Sequence, residues 1–389
     1  MKNKKNTFLI NSLTSGGAER VLCLILNELN TQGYTNIELI CLEENNFYNL
    51  NENIKVTYLT KSNGRSHPII KLLNIPLMAY KLKAYIKQNN IQIIQSHIYR
   101  ANFINALAKI FGAKHKVQMV NAGQISMYKS KGILGKVNLF LIHKLYPQAD
   151  IIICKSKGME IDLQSYFNTK LKTIIINNPY DIKKIESIYD EKIDNFIFDK
   201  NKKYLLYVGR FASFKKPEYI IKALKDLDKN VELILLGDGP KKDNLVELSR
   251  KLRLDKRIHF LGNVSNPYKY MRKADLFILS SNDGEGFPNV LVEAMICKVP
   301  VISTDCKSGP REILSPDSDI QIQLKTENEI TDKGILFPIG NIEKLVEAIN
   351  KISENLELKN NLLENAYKRS NNFSLETIIN QYKKVLEIE

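Results

Sequence analysis

The chain contains no long hydrophobic run. No segment approaches about 18 consecutive apolar residues, which is roughly the length of a helix that crosses a bilayer. The lysine-rich start, Met1 to Lys5, leads into only a short apolar run, so a cleaved signal sequence is not indicated either. From these absences we expect a cytoplasmic protein.

Cysteine is scarce, and its spacing argues against disulfide bonds and metal binding. The five cysteines are scattered along the chain, and no two of them form a Cys-x-x-Cys pair. Reduced, buried thiols are therefore the expected state, and a zinc site is not predicted. The residues are Cys23, Cys41, Cys154, Cys297 and Cys306.

Acidic residues are missing from a long stretch of the first half. None occurs between Glu52 and Asp150, whereas lysine and arginine recur throughout that stretch. Residues 1–178 hold 23 lysines and arginines against 9 aspartates and glutamates, so almost all of the net charge of +15 lies there. A positive surface of this kind attracts nucleic acid, an anionic membrane or a phosphate-bearing acceptor.

The length of the chain and its apolar pattern predict two α/β domains. A chain of 389 residues, 44% of them hydrophobic, exceeds what one core usually supports. Short apolar runs alternate with helical patterns, which is typical of parallel sheets with helices on both faces. The turn residues Asn177 to Asp181 divide a domain at 1–178 from one at 179–369, followed by a closing segment at 370–389. The expected strands are 7–13, 36–42, 55–59, 91–95, 116–120, 150–154, 173–176, 204–208, 231–236, 258–261, 276–279, 299–303 and 334–337.

The stretch from Asp283 to Met295 carries the strongest site signal. Proline is favoured at the first helical position and apolar residues follow at the helical period, so a buried helix is expected to begin at about Pro288. Glu285 then lies just before the helix and Glu293 in its second turn. The positive end of such a helix favours a phosphate. The alternative is a glycine turn and a core helix with a surface glutamate.

Further loops at expected strand ends carry candidate ligand groups. Gly16 and Gly17 open a helix, but they lack the Gly-x-Gly-x-x-Gly and P-loop spacings, so a plain turn is equally compatible. His97 ends a strand, where a structural and a functional role remain open. Arg210 follows a strand, and Lys215 lies near the next helix start, where a cation is unfavourable unless an anion compensates it.

Taken in order, these motifs resemble the retaining glycosyltransferases of family 4 across most of the chain. Gly16-Gly17-Ala18-Glu19-Arg20 is similar to the family's glycine loop, Ser96-His97 to its strand-end histidine, and Gly209-Arg210 with Lys215 to its diphosphate-binding pair. Glu285 and Glu293 match its paired glutamates. The resemblance implies the GT-B fold, in which two Rossmann-like, doubly wound parallel-sheet domains face each other across a cleft. The segment 308–314 is similar to members that add hexoses or N-acetylhexosamines to bacterial surface glycans.

The resemblance also implies a role for each candidate residue. Arg210 and Lys215 would neutralise the β-phosphate as the sugar–phosphate bond breaks. Glu285 would hold sugar hydroxyls, Glu293 would bind the ribose, and His97 would face the acceptor and the reacting centre. The catalytic candidates are thus His97, Arg210, Lys215 and Glu285. The other implied donor-binding residues are Gly16, Gly17, Val264 near the base, Gly286, Phe287, Pro288, Asn289, Val290, Leu291 and Glu293.

The implied reaction moves a hexose or N-acetylhexosamine from a nucleotide diphosphate sugar, commonly UDP-linked in this family, to a membrane-associated glycan or polyprenyl-diphosphate-linked acceptor. Retention is expected through same-face displacement, because the family generally has no carboxylate beneath the sugar. No cofactor and no essential divalent metal are expected. The two Asp-x-Asp pairs, Asp226 with Asp228 and Asp317 with Asp319, do not lie with the strand-end chemistry.

Other interpretations stay open. The stretch from Tyr128 to Leu145 interleaves lysines with apolar residues, which fits either an interfacial helix on anionic lipid or an ordinary half-buried helix. A sugar-nucleotide epimerase can share the two-lobed architecture. A nucleic-acid-binding protein would explain the charge, but no recognised nucleic-acid motif is visible, so nucleic acid is not expected as a partner. We expect attachment to the inner face of the cytoplasmic membrane, and a C-terminal helix that crosses back to the first domain.

Overall fold

The computed structural model describes residues 5–14, 16–45, 47–62, 64 and 66–388. The chain forms two compact units, of which the first comprises Met1–Pro179 with Leu375–Glu389 and the second Tyr180–Ser374. The first unit is therefore discontinuous in sequence. Each unit contains one seven-stranded sheet.

The sheet of the first unit is entirely parallel. Its strands are β1 (Asn6–Ile10), β2 (Ile37–Cys41), β3 (Lys55–Tyr58), β4 (Ile93–His97), β5 (Lys116–Asn121), β6 (Ile151–Cys154) and β7 (Thr173–Ile175). They are ordered β3-β2-β1-β4-β5-β6-β7. The strand order therefore reverses at the boundary between the neighbouring strands β1 and β4, which is the topological switch point of the sheet. Its helices up to the boundary are α1 (Gly17–Thr31), α2 (Pro68–Leu73), α3 (Ile75–Gln88), α4 (Tyr99–Ile110), α5 (Gly132–Leu145) and α6 (Lys157–Gln164).

The inner strands β1, β2 and β4 are buried along their whole length, as expected for parallel strands that are covered on both faces. In β1, Leu9 packs into one hydrophobic cluster, whereas its neighbours Phe8 and Ile10 pack into another. All three side chains are fully buried. Successive residues of a strand point to opposite faces, so each face receives its own layer of helices.

The second unit repeats this architecture with one difference, a short antiparallel strand at one edge of its sheet. Its strands are β8 (Lys203–Val208), β9 (Val231–Leu236), β10 (Ile258–Gly262), β11 (Leu276–Leu279), β12 (Val301–Thr304), β13 (Glu329–Ile330) and β14 (Ile335–Phe337). They are ordered β10-β9-β8-β11-β12-β14-β13, and β13 alone runs antiparallel to its neighbour. The helices are α7 (Ile182–Ile188), α8 (Glu218–Ala223), α9 (Lys242–Lys251), α10 (Tyr268–Lys273), α11 (Asn289–Ile296), α12 (Pro310–Leu314), α13 (Ile342–Glu354) and α14 (Leu356–Ser370).

The last helix, α15 (Leu375–Leu386), belongs to the first unit. It packs beside α1, and Ile378, Ile379 and Tyr382 are buried in the same cluster as Phe8 of β1. The side-chain amide of Gln118 in β5 donates a hydrogen bond to the Val385 carbonyl at 2.7 Å. The core of the first unit is thus completed by the end of the chain.

The predicted fold class is confirmed: both units are doubly wound, largely parallel α/β sheets. Every expected strand is present, with ends that shift by up to three residues, and β13 is the strand that the apolar pattern missed. The helix expected to begin at about Pro288 begins within one residue of that position. Pro288 is the N-cap of α11, with φ −71° and ψ 101°, so the helix begins at Asn289. The extended ψ of Pro288 excludes it from the helix.

Candidate active site

The candidate residues of the second unit lie in loops at the carboxyl ends of its parallel strands, where ligands of open α/β sheets bind, and in helix α11, which follows one of these loops. These loops are locked together by close backbone contacts. A Cβ atom on Gly237, whose φ is +138°, would lie 2.0 Å from the carbonyl oxygen of Gly209, so only glycine fits there. The backbone N–H of Phe211 donates to the Asp238 carbonyl at 2.9 Å. The loop that carries Arg210 is therefore held on a fixed support.

Glu285 is the centre of a compact polar cluster. Its side chain is buried, and its Oε1 atom lies 2.6 Å from Nζ of Lys215. The same oxygen accepts a short hydrogen bond from the hydroxyl of Ser281, a buried residue that follows β11. Thr304, at the end of β12, donates in turn to the Ser281 carbonyl. Two donors thus fix one carboxylate oxygen, and no described contact occupies Oε2.

The two cations of this loop differ in their surroundings. Lys215 is mostly buried, and its Nζ lies 5.3 Å from the centre of the Phe214 ring. Arg210 is exposed. Its backbone carbonyl accepts a hydrogen bond from the Tyr207 hydroxyl at 3.2 Å, which anchors the main chain while the guanidinium stays accessible. An arriving anion would therefore meet an exposed cation, Arg210, and a preorganised one, Lys215.

The loop from Gly286 to Pro288 is held by a neighbouring turn. The Ser308 hydroxyl donates to the Gly286 carbonyl at 2.8 Å. A Cβ atom on Gly309, whose φ is +94°, would lie 2.4 Å from Cδ of Pro288. These contacts fix the main chain that leads into the N-terminus of α11, where the positive end of the helix dipole favours an anion.

Side chains of α11 point mostly into the unit. Phe287 and Leu291 belong to its hydrophobic core, and the half-buried Val264 and Val290 pack against that core. Glu293 is only 2% exposed. Along this stretch the main chain, rather than the apolar side chains, is what a ligand can contact.

One contact at the start of α11 was not expected from the sequence. The Tyr180 hydroxyl donates to Oδ1 of Asn289 at 2.8 Å. Ser281 and Ser308 were likewise not among the expected site residues. Their one local signal was their position in polar turns after β11 and β12. Their partners lie in other loops, which a linear pattern does not reveal.

Gly16, Gly17 and His97 belong to the first unit. Gly16 is the N-cap of α1, and Glu19 folds back over it: a Cβ atom on Gly16 would lie 2.1 Å from Oε2 of Glu19. The Thr14 hydroxyl donates to Oε1 of Glu19 at 2.8 Å. A carboxylate therefore covers the start of this helix, beside the glycines that were expected to bind the donor.

His97 ends β4 and is buried, with Nε2 lying 3.2 Å from Oε1 of Gln95. Burial and the nearby charge of Lys155 hold the pKa of His97 well below its usual range, so the imidazole is neutral at pH 7. The next residue, Ile98, has φ +71°, a conformation that a β-branched residue adopts only under strain. Such strain is concentrated at functional sites, which favours a functional over a structural role for this strand end.

The stretch from Tyr128 to Leu145 combines buried and exposed apolar residues. On α5, Gly135, Ile142 and Leu145 are buried, whereas Ile133, Leu134 and Phe140 are exposed. Within the described part of the chain, no helix is both long and apolar enough to cross a membrane. The same residues contain no group of three or more histidine, cysteine, aspartate or glutamate side chains arranged to hold a metal ion.

Two family models match the chain, one for each half. Residues 15–184 match the model described as Glycosyltransferase Family 4, and residues 189–369 match the model described as Glycosyl transferases group 1. The chain is 34% identical over 328 residues to a Campylobacter jejuni protein. That match covers 84% of this chain and 87% of the relative, which is named N-acetylgalactosamine-N,N'-diacetylbacillosaminyl-diphospho-undecaprenol 4-alpha-N-acetylgalactosaminyltransferase.

More distant relatives extend over the whole chain. A second Campylobacter jejuni protein, an alpha-1,4-N-acetyl-D-galactosaminyltransferase named for a PP-undecaprenol-linked substrate, is 25% identical and covers 98% of both chains. The crystal structure of Anabaena HepE in complex with UDP superposes with a TM-score of 0.76 at 21% identity, over 98% of this chain and 99% of that one. Sucrose-phosphate synthase from Thermosynechococcus elongatus gives a TM-score of 0.80 at 18% identity, over 99% and 98%. These structures share the fold.

Proposed function

The chain belongs to glycosyltransferase family 4 and has the GT-B fold, and on that premise we propose that it transfers an N-acetylhexosamine, with retention of anomeric configuration, from a UDP-sugar to a polyprenyl-diphosphate-linked acceptor. The pairing of Lys215 with Glu285 beside the N-terminus of α11 is the observation that carries this proposal. This pairing places a cation, a carboxylate and the positive end of a helix dipole at the carboxyl ends of neighbouring strands. A sugar diphosphate requires groups of these kinds for its phosphates and its hydroxyls.

The donor follows from the chemistry of that edge. A diphosphate carries negative charge that Arg210, Lys215 and the α11 N-terminus can offset together. Glu285, which is held through Oε1, has its second oxygen left to accept a sugar hydroxyl. Anabaena HepE, which shares the fold, binds UDP, and this supports uridine as the nucleoside of the donor.

Catalysis is proposed to rest on stabilisation of the leaving group. The bond between the anomeric carbon and the β-phosphate oxygen breaks, and Lys215 and Arg210 offset the charge that develops on that oxygen. The acceptor hydroxyl attacks from the same face and passes its proton to the departing phosphate. No protein carboxylate needs to form a covalent bond, so Glu285 acts by binding the sugar.

The acceptor is proposed from the relatives and from the charge of the first unit. Both Campylobacter jejuni relatives are named for undecaprenol-linked diphosphate substrates. Residues 1–178 hold 23 basic against 9 acidic residues, which suits an anionic acceptor at the inner face of a membrane. His97, neutral and at a strand end of this unit, is proposed to hydrogen-bond the acceptor rather than to carry a charge.

A thermal-shift panel of UDP-, GDP- and ADP-sugars tests the donor. We expect UDP-N-acetylhexosamines to raise the melting temperature the most. The Glu293→Ala variant should lose most of that shift, because a glutamate at this position is proposed to bind the ribose. Glu376→Ala, an exposed change in α15, is the control and should keep the shift. An unchanged shift in Glu293→Ala would remove its assigned role, and a larger response to GDP- or ADP-sugars would overturn the choice of base.

Metal independence and retention are tested on the same reaction. Turnover in excess EDTA should equal turnover without it, since Lys215 and Arg210 are proposed to do what a divalent cation does in other transferases. Loss of activity that manganese restores would contradict this. NMR of the first product formed should show the anomeric configuration of the donor, and an inverted product would exclude same-face displacement.

A further inference from the structure

A continuous apolar stripe lies exposed on the first unit. Helices α2 and α3 meet at Asn74, which caps the end of one and the start of the other in a helical conformation. No residue of α2 is buried. Large apolar side chains recur every three or four positions along both helices and are about half to three-quarters exposed: Ile69 49%, Ile70 50%, Leu73 73%, Leu77 53% and Tyr80 63%. Residues at this spacing share one helix face.

Lysines continue and border this stripe, and neither α2 nor α3 contains an acidic residue. Lys83 and Lys87 extend the same spacing beyond Tyr80, and the neighbouring Lys81 is exposed. Lys83, Lys87 and Lys114 line an open hollow of about 700 Å³ at the end of α3. An apolar face bordered by lysines is the pattern of a helix that lies in the interface of an anionic bilayer.

The stripe is tied to the sheet edge at which the acceptor is proposed to react. Nζ of Lys71 in α2 lies 3.6 Å from Oε2 of Glu43, which follows β2. Nη1 of Arg100, in the first turn of α4 after His97, lies 2.8 Å from Oε1 of the same carboxylate. Glu43 therefore links the exposed helix to the carboxyl edge of the first sheet.

We infer that the face of α2 and α3 is the surface by which this protein docks on an anionic phospholipid bilayer, with Leu73 and Leu77 among the acyl chains and the headgroups over the hollow lined by Lys83, Lys87 and Lys114. The inference rests on the proposed function in one respect: docking on the bilayer would bring a lipid-linked acceptor to the carboxyl edge of the first sheet, near His97. Its charge complementarity selects lipid over a second copy of this chain, because two such basic faces repel each other. The exposed apolar residues of α5 are fewer, and we expect them to contribute less to membrane binding.

Vesicle flotation of the full chain tests the surface without donor or acceptor. Wild-type protein should float with vesicles of phosphatidylglycerol and phosphatidylcholine, and far less with phosphatidylcholine alone. Leu73→Ser with Leu77→Ser should lower partitioning by on the order of tenfold, since two exposed apolar side chains leave the interface. Lys83→Gln with Lys87→Gln should abolish the preference for anionic vesicles. Ile133→Ser with Phe140→Ser, the matched change in α5, should have the smaller effect.

Three results would overturn the inference. The first is unchanged flotation of Leu73→Ser with Leu77→Ser, and the second is an equal or larger loss in the α5 variant. The third is a wild-type dimer that the α2–α3 variant turns into a monomer while flotation stays the same. Melting temperatures should agree within about a few degrees, because the substituted residues are exposed. The α2–α3 variant should still transfer sugar to a water-soluble acceptor analogue. Wild-type protein that floats with the vesicles but transfers no sugar would contradict the proposed function and leave this surface supported.

Discussion

At the scale of residues, the candidate site works through one carboxylate held in a defined position. Glu285 has little exposure, and the hydroxyl of Ser281 and the ammonium of Lys215 meet on its Oε1 atom. Hydrogen bonds to an ionised group are stronger than neutral ones and orient the acceptor oxygen. In the proposed reaction Lys215 serves both the carboxylate and an incoming diphosphate. The hydrogen bond from Ser281 holds Glu285 independently of Lys215.

Ser281→Ala should therefore impair turnover more than folding. A hydrogen bond to a charged group is worth about 1.5–3 kcal/mol, so we expect kcat/KM for the donor to fall on the order of ten- to a hundredfold. Ser303→Ala removes an equally buried hydroxyl that donates to the Thr304 carbonyl, and it is the control for lost stability. Steady-state kinetics with melting curves for both variants decide the matter. Equal kcat/KM in the two variants would show that Ser281 does not position Glu285.

At the scale of elements, the C-terminal helix is attached to the first unit partly through a buried amine. Lys155 follows β6, and its Nζ donates a short hydrogen bond to the Tyr382 hydroxyl of α15. Burial lowers the pKa of Lys155 to about 7, because the ammonium form loses its hydration there. Gln118 adds a hydrogen bond to the main chain of α15. The strength of this attachment consequently depends on pH.

The folded first unit should become more stable as the pH rises from about 7 to about 8.5. In the unfolded chain Lys155 has its ordinary pKa of about 10.4 and stays protonated over this range. In the folded chain it loses its proton. Because the unfolded chain binds more protons, the free energy of unfolding rises with pH. Above about 8.5 the buried thiols, whose pKa values burial raises, act in the opposite direction. The urea midpoint should rise between about pH 7 and about pH 8.5 in wild type and in Lys157→Met, an exposed control. Lys155→Met should flatten this rise, and a persisting slope would assign the effect to another group.

The sequence predicted elements better than it predicted contacts. Strands such as β6 and β11 were recognisable because a parallel strand that is buried on both faces can be an uninterrupted apolar run. The two-residue, half-exposed β13 has no such run. At the site, Glu285 and Lys215 were singled out by their places near expected helix starts, but their direct contact joins residues 70 positions apart. Ser281 was missed because a serine in a polar turn has no signature until its partner is known.

At the scale of the whole molecule, the two units divide the proposed work and share one chain. Arg210, Lys215 and Glu285 all lie within Tyr180–Ser374, a continuous segment with its own sheet and core. The first unit needs both ends of the chain, since Ile378 and Ile379 of α15 complete its core. Its stability is therefore linked to residues that follow the whole second unit in sequence. This connectivity predicts that the two units respond differently to changes at the C-terminus.

Removal of Leu375–Glu389 should unfold the first unit and leave the second one able to bind its nucleotide. Buried α15 side chains such as Ile378 and Ile379 are worth roughly 1.5–3 kcal/mol each, and several of them approach the whole stability of an ordinary domain. Calorimetry of the truncated chain should lose one transition and keep another that UDP shifts upward. Ile378→Ser with Ile379→Ser should act in the same direction, whereas Glu376→Ser with Asn380→Ser, exposed on the same helix, should not. Loss of the UDP-dependent transition in the truncated chain would mean that the second unit does not hold the nucleotide by itself.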